Sequence, residues 1–161
     1  MKGIYTAQQE HVASVIAPVD FTGGKTGRWL SLAKHEHITF ILSIGVSAAA
    51  PTALLVKGAQ DSSGTNAAAI AFDLFTAETA TVDLLSTKQR MTTSGYTTIS
   101  ANDDIFYVIE VDASDVAAQL GESFNHVTVN VTNVTNSVIA SCVAILSGAR
   151  FAGDQSPSVN V

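Results

Sequence analysis

The chain has 161 residues, 47% of them hydrophobic and only 14% charged, roughly half the usual charged share. That length suits one domain with a sizeable core, and the balance excludes intrinsic disorder, whose chains are rich in charge and poor in apolar residues. The net charge is −6, from 14 acidic and 8 basic residues. The basic residues are scattered, so the clustered Lys and Arg that neutralise phosphates are missing and nucleic acid is not an expected partner.

In chain order, Met1 to Glu10 is polar and lacks the apolar core of a signal peptide. Residues 1–12 read as a flexible arm, 13–152 as a β-sandwich domain and 153–161 as a polar tail. Ala13 to Val19 predicts a first strand, ended by Pro18 and the turn at Gly23-Gly24. Arg28 to Leu32 is apolar at alternate positions around Trp29, and Glu36 to Ile44 places Ile38, Phe40, Leu42 and Ile44 on one face. Gly45 to Pro51 is a loop of small residues. Thr52 to Ala59 is a strand, Gln60 to Asn66 is dense in turn formers, and Ala68 to Phe75 returns as its antiparallel hairpin partner.

Residues 76–101 are weakly patterned, with short strands expected near Thr81 to Leu85 and Tyr96 to Ile99. A long excursion of this kind is a candidate contact loop. Ile105 to Val111 is a strand with β-branched and aromatic residues on both faces. A single helical turn, Asp115 to Leu120, follows, capped by Asp112 or Ser114 and stopped by Gly121.

The last two strands differ in kind. Asn125 to Asn133 alternates strictly, Val127, Val129 and Val131 facing one way and Thr128, Asn130 and Thr132 the other, the pattern of one dry and one wet face. Val138 to Leu146 is apolar on both faces, which demands cover on both sides and places it in a sheet centre or at a subunit contact. Eight or nine strands with no alternation of long helices predict an all-β protein, an antiparallel two-sheet sandwich of jelly-roll or Greek-key type with one short helical turn. No apolar stretch reaches the ~20 residues of a membrane helix, so no membrane is expected as a partner.

Chemistry is sparse. In His35-Glu36-His37 the two imidazoles, two positions apart on a strand, share a side and could reach one metal ion, with His11 or His126 arriving from elsewhere; the plainer reading is two solvated histidines at a strand entry. Asp103-Asp104 and Asp112 with Asp115 are carboxylate pairs that read as solvated turn residues rather than an acid and a base across a cleft. Asp61 to Asn66 has the composition of a calcium loop without its closing Glu, and a turn is the simpler reading. The lone Cys142 reads as a buried, inert thiol. Asn130-Val-Thr132 and Asn133-Val-Thr135 match the glycosylation sequon but read as solvent-facing strand residues. Trp29, Phe40, Phe72, Phe106 and Tyr107 are candidates for core or interface. With no nucleophile elbow, phosphate-binding loop or Cys pair, the chain reads as an interaction protein rather than an enzyme, with no catalytic, cofactor or metal residues assigned.

Two stretches, Asp104-Ile-Phe-Tyr-Val-Ile-Glu-Val-Asp-Ala-Ser114 and Val143-Ala-Ile-Leu-Ser-Gly-Ala-Arg-Phe151, resemble small virion proteins of tailed bacteriophages. The run His37 to Gly45, followed by a strand and an Asp-x-x-Gly turn, is similar to the same layout, so the likeness spans roughly residues 28 to 154. The resemblance implies a structural component of the particle: a head decoration or cement protein on the outer capsid surface, made in the host cytoplasm, or another minor virion protein. Its implied partners are the major capsid protein and further copies of itself, as a dimer or trimer. The implied contact segments are the arm, the loop 76–101 and the tail. The alternatives are a carbohydrate-binding β-sandwich on a host-facing surface, or a tail or neck component.

Overall fold

The alternating and β-branched runs become eleven strands and one helix among the residues that the computed structural model describes, 10–45, 53–76, 85–97, 105–132 and 137–149. The strands are β1 (His11–Asp20), β2 (Lys25–Thr26), β3 (Leu30–Ser31), β4 (His35–Ile44), β5 (Ala53–Ala59), β6 (Ala68–Ile70), β7 (Phe72–Thr76), β8 (Gln89–Met91), β9 (Ile105–Asp112), β10 (His126–Thr132) and β11 (Ile139–Ala149); helix α1 spans Ala113–Leu120. They form two antiparallel sheets, one ordered β1-β11-β4-β9-β7-β8 and the other β2-β10-β5-β6, with β3 also on β10.

That order is one long hairpin rolled up. Along the hairpin β1 pairs β11, β2 and β3 pair β10, β4 pairs β9, and β5 pairs β6, with successive pairs alternating between the two sheets. Rolling adds β11 to β4 and β10 to β5, which is jelly-roll connectivity. The pair β7–β8 is an extra on the β9 edge. At the hairpin tip the Asp61 carboxylate accepts from the Ser63 and Thr65 amides and from Thr65 Oγ1 at 2.6 Å. Gly64 has φ +81° there, and any side chain on it would start 2.8 Å from Trp29 Nε1, so the indole lies against the turn. Between the sheets lie Phe21, Leu30, Ile38, Phe40, Leu42, Leu54, Phe72, Leu74, Ile109, Val127, Val129 and Leu146, all buried. Each such side chain contributes about 1.5–3 kcal/mol of transfer free energy.

Four departures from expectation have local causes. Pro18 lies inside β1 rather than ending it, because β1 is an edge strand whose register shifts between Ile16 and Val19, where a missing N–H breaks no ladder. The same strand starts at His11, so the expected arm overlaps it by two residues. Ala68 to Phe75 is two strands, not one: β6 belongs to the second sheet and β7 to the first, and the chain crosses at Ala71. The Gln119 side chain serves the backbone at that crossing. The Ala71 amide donates to Oε1 at 2.6 Å and Nε2 donates to the Ala71 carbonyl at 3.1 Å, as a neighbouring strand would. Finally, α1 runs eight residues rather than one turn. Val116 anchors it in the core, and Gly58 makes the room: a Cβ there would sit 2.7 Å from Leu120 Cδ1. Gly121, at φ +106°, ends the helix as expected.

Among the described residues of 76–101, Gln89 to Met91 form β8, which the sequence did not mark, and Tyr96 forms a single bridge with Leu54. The strand expected near Thr81 lies outside the described residues except for Leu85, and the expected loop Gly45 to Pro51 lies outside them except for Gly45.

Candidate interaction surface

The open side of the six-stranded sheet is built from the alternation of β11. Ala140, Cys142, Ala144 and Leu146 enter the core, while Ile139 is 58% and Val143 39% exposed on the other side. The expected cover is thus present on the inner face only; among the described residues the outer face is bare. Cross-strand register carries the apolar character across the sheet, with Val143 opposite Ile41, Ile41 opposite Val108, and Val108 opposite Phe75. Beside this row Ile145 faces Val12, which is 49% exposed. Of the large hydrophobics exposed among the described residues, all but Leu85 (Val12, Val19, Ile139 and Val143) belong to the neighbouring strands β1 and β11. A concentration of this kind marks an interaction site more than scattered exposure does.

The adjoining row is ionic. Thr39, Glu110, Asp73 and Arg90 stand in register across β4, β9, β7 and β8. Glu110 and Asp73 are directly opposed, a like-charge pair that destabilises a sheet unless each finds a cation. Both do. Asp73 accepts from Lys88 Nζ at 3.0 Å and Arg90 Nη1 at 3.2 Å, while Arg90 Nη2 reaches Asp115 at 2.7 Å. Glu110 accepts from His37 Nε2 at 2.5 Å and Thr39 Oγ1 at 2.7 Å, and His37 Nδ1 donates to Asp112 at 2.6 Å. The Glu110 bond, with the weaker help of Asp112, lifts the His37 pKa to about 9, so the ring is an imidazolium at neutral pH. Lys88 and Arg90, two positions apart in the chain, and the distant His37 therefore converge on the acids of this row.

The histidines do not form a metal cluster. His37 is engaged by two carboxylates, His35 is buried with its ring 6.1 Å from that of His11, and His126 sits beside Asn125 Oδ1 at 2.6 Å. Among the described residues no group of three His, Cys, Asp or Glu could hold a metal ion. The expectation of two solvated imidazoles is corrected: one is buried and the other ion-paired. Asp112 stands at the helix N-cap but makes no side-chain cap bond, since its carboxylate faces His37. Asp115 pairs with Arg90, and Asp103-Asp104 lies outside the described residues.

The wet face expected of β10 is also corrected. Thr128 is fully buried and Asn130 only 7% exposed, with Asn130 Nδ2 donating to Thr26 Oγ1 at 2.6 Å. Asn130 is consequently not a solvent-facing sequon residue, and Asn133 lies outside the described residues. Cys142 is buried, which pushes its thiol up to about 12. Phe40 and Phe72 are core residues, Tyr107 packs 5.8 Å from the Tyr96 ring, and Phe106 is half-buried on the outer face.

Two structural residues escaped the sequence reading. Gln119 carries no local signal. Asp20 does, since Thr two positions on marks an Asx turn. Its carboxylate accepts from the Thr22 amide and hydroxyl and from Ser137 Oγ at 2.9 Å, which holds its pKa at about 2 and ties the end of β1 to the start of β11. Of the expected contact segments, 153–161 lies wholly outside the described residues, 1–12 does so except for 10–12, and 76–101 is described at 76 and 85–97. Set against known protein families, curated proteins and solved structures, the chain finds no match.

Proposed function

We propose that this protein is a virion structural subunit, a capsid decoration protein that docks on the major capsid protein through the outer face of its six-stranded sheet. The observation that carries the docking surface is the exposure of Val12, Ile139 and Val143 on adjacent strands, continuous with the row Ile41, Val108 and Phe75. Six strands about 4.8 Å apart and about seven residues long span roughly 25 by 23 Å, about 575 Å², the same order as the ~800 Å² per partner of a standard interface. Such a face has an apolar centre, and the ionic row at its side neutralises most of its own charge, the arrangement of interface core and rim. The assignment to a phage particle rests on the resemblance of Asp104 to Ser114 and Val143 to Phe151 to tailed-phage virion proteins. Repetition over a shell multiplies modest contacts.

Purified protein added to undecorated heads is expected to bind at a saturable stoichiometry and raise their melting temperature. Val143→Lys and Ile139→Lys are expected to abolish binding while leaving the isolated fold intact. Absence of saturable binding would sink the proposal, and binding to tails alone would transfer the protein to the tail or neck.

A further inference from the structure

A second site lies apart from the apolar row and shares no residue with it. A cleft of about 470 Å³ opens between α1, the β3–β4 connection and the segment leading into β10. Small-molecule sites fall within roughly 300–1,000 Å³ and combine an apolar lining with a few placed polar groups. One wall is the helix face carrying Ala113 and Ala117, four residues apart and so on the same side, whose methyl groups leave the space open. Ala33, Leu32 and Phe124 complete an apolar lining. The polar residues of the lining are Ser114, Glu122 and Asn125.

Backbone bonds hold this geometry before any ligand arrives. The Leu32 amide donates to the Asn125 carbonyl at 2.7 Å, the Phe124 amide to the Gly121 carbonyl at 3.0 Å, and the His35 amide to the Leu32 carbonyl at 3.2 Å. The Asn125 side chain is itself steadied by His126, and burial lowers that imidazole's pKa. Charge narrows the ligand class: the lining holds a carboxylate and no Lys, Arg or His, so phosphate or carboxylate ligands are repelled. An apolar wall flanked by a carboxylate, an amide and a hydroxyl matches a molecule with C–H on one face and hydroxyls at its edge. We infer that the cleft binds a neutral saccharide, its C–H face against Phe124 and the alanine methyls, its hydroxyls donating to the Glu122 carboxylate and accepting from Asn125 Nδ2.

The test is a titration of the full chain, isotopically labelled, with glucose, galactose and N-acetylglucosamine, and with glucose 6-phosphate as the charged comparator, followed by amide resonances. At least one neutral sugar is expected to give saturable shifts at Ala113, Ala117, Phe124 and Asn125, with glucose 6-phosphate at least tenfold weaker. Ala33→Trp, at an exposed position, is expected to fill the cleft and abolish those shifts while resonances of the core strands stay in place; Glu122→Gln is expected to weaken binding severalfold. No shift with any neutral sugar, shifts that survive Ala33→Trp, tighter binding of the phosphorylated sugar, or cleft shifts produced only by an apolar peptide would each overturn the inference. Because the outer face is untouched by these variants, loss of sugar binding leaves head binding as a separate result.

Discussion

Strands β10 and β11 are neighbours in sequence and opposites in fate. β10 alternates apolar and polar residues yet is buried at Val127 through Val131, Thr128 and Asn130 included. β11 is apolar through its first half except at Ser141, yet exposes Ile139 and Val143. Polarity along a strand therefore tells which residues can tolerate burial, while position in the rolled hairpin decides which are buried. β10 has β5 on one edge and β2 and β3 on the other, and Asn130 finds its partner in Thr26. β11 sits between β1 and β4 with nothing laid over its outer face among the described residues.

The contrast can be broken most forcefully on the inner side of β11. Leu146→Ala is expected to cost about 2–5 kcal/mol, because a fully buried side chain leaves a cavity, and denaturant unfolding would show the midpoint fall. A loss under about 1 kcal/mol would mean that the two faces of β11 are equivalent. On β10, Asn130→Ala is expected to cost about 1–2 kcal/mol by removing a buried hydrogen bond to Thr26 that a wet face would not need. An effect within experimental error would restore the alternating-face reading.

The ionic row sharpens the comparison through pH. Folding lifts His37 from an ordinary 6.5 to about 9, so its stabilising contribution is complete below pH ~6.5 and disappears as pH rises through 9. With the side chain 30% exposed, solvent screening reduces this to about 1 kcal/mol. Wild-type protein should lose that amount between pH 6 and pH 10 relative to His37→Gln, measured by unfolding at each pH; parallel profiles would show that the imidazolium adds nothing. The smallest expected effect belongs to the outer face of β11: Val143→Lys should change the stability of the isolated chain by no more than about 0.5 kcal/mol. A large loss there would mean that the face is packed by the protein itself.

The strands of highest contrast were legible: Glu36 to Ile44, Thr52 to Ala59 and Ile105 to Val111 each match an observed strand within one residue at either end. The turn at Asp61 and the stop at Gly121 were legible too, because their signals are local side-chain and backbone chemistry. The break at Ala71 was not, since the pairing that Gln119 replaces comes from 48 positions away along the chain. Nor was the ionic row: Lys88, Arg90, Asp73, Glu110 and His37 are unremarkable where they stand and meet only through register. β8 carries too little hydrophobic contrast in three residues for periodicity to reveal it.

By itself the sequence determined that this chain is all-β, because hydrophobic period and turn chemistry act over a few residues and survive without knowledge of neighbours. Only the tertiary structure decided which side of each strand meets solvent, which charges meet, and that an apolar row lies open beside a self-paired ionic one. Those outcomes depend on pairings between residues as distant as His11 and Leu146, and no local pattern encodes a contact of that range.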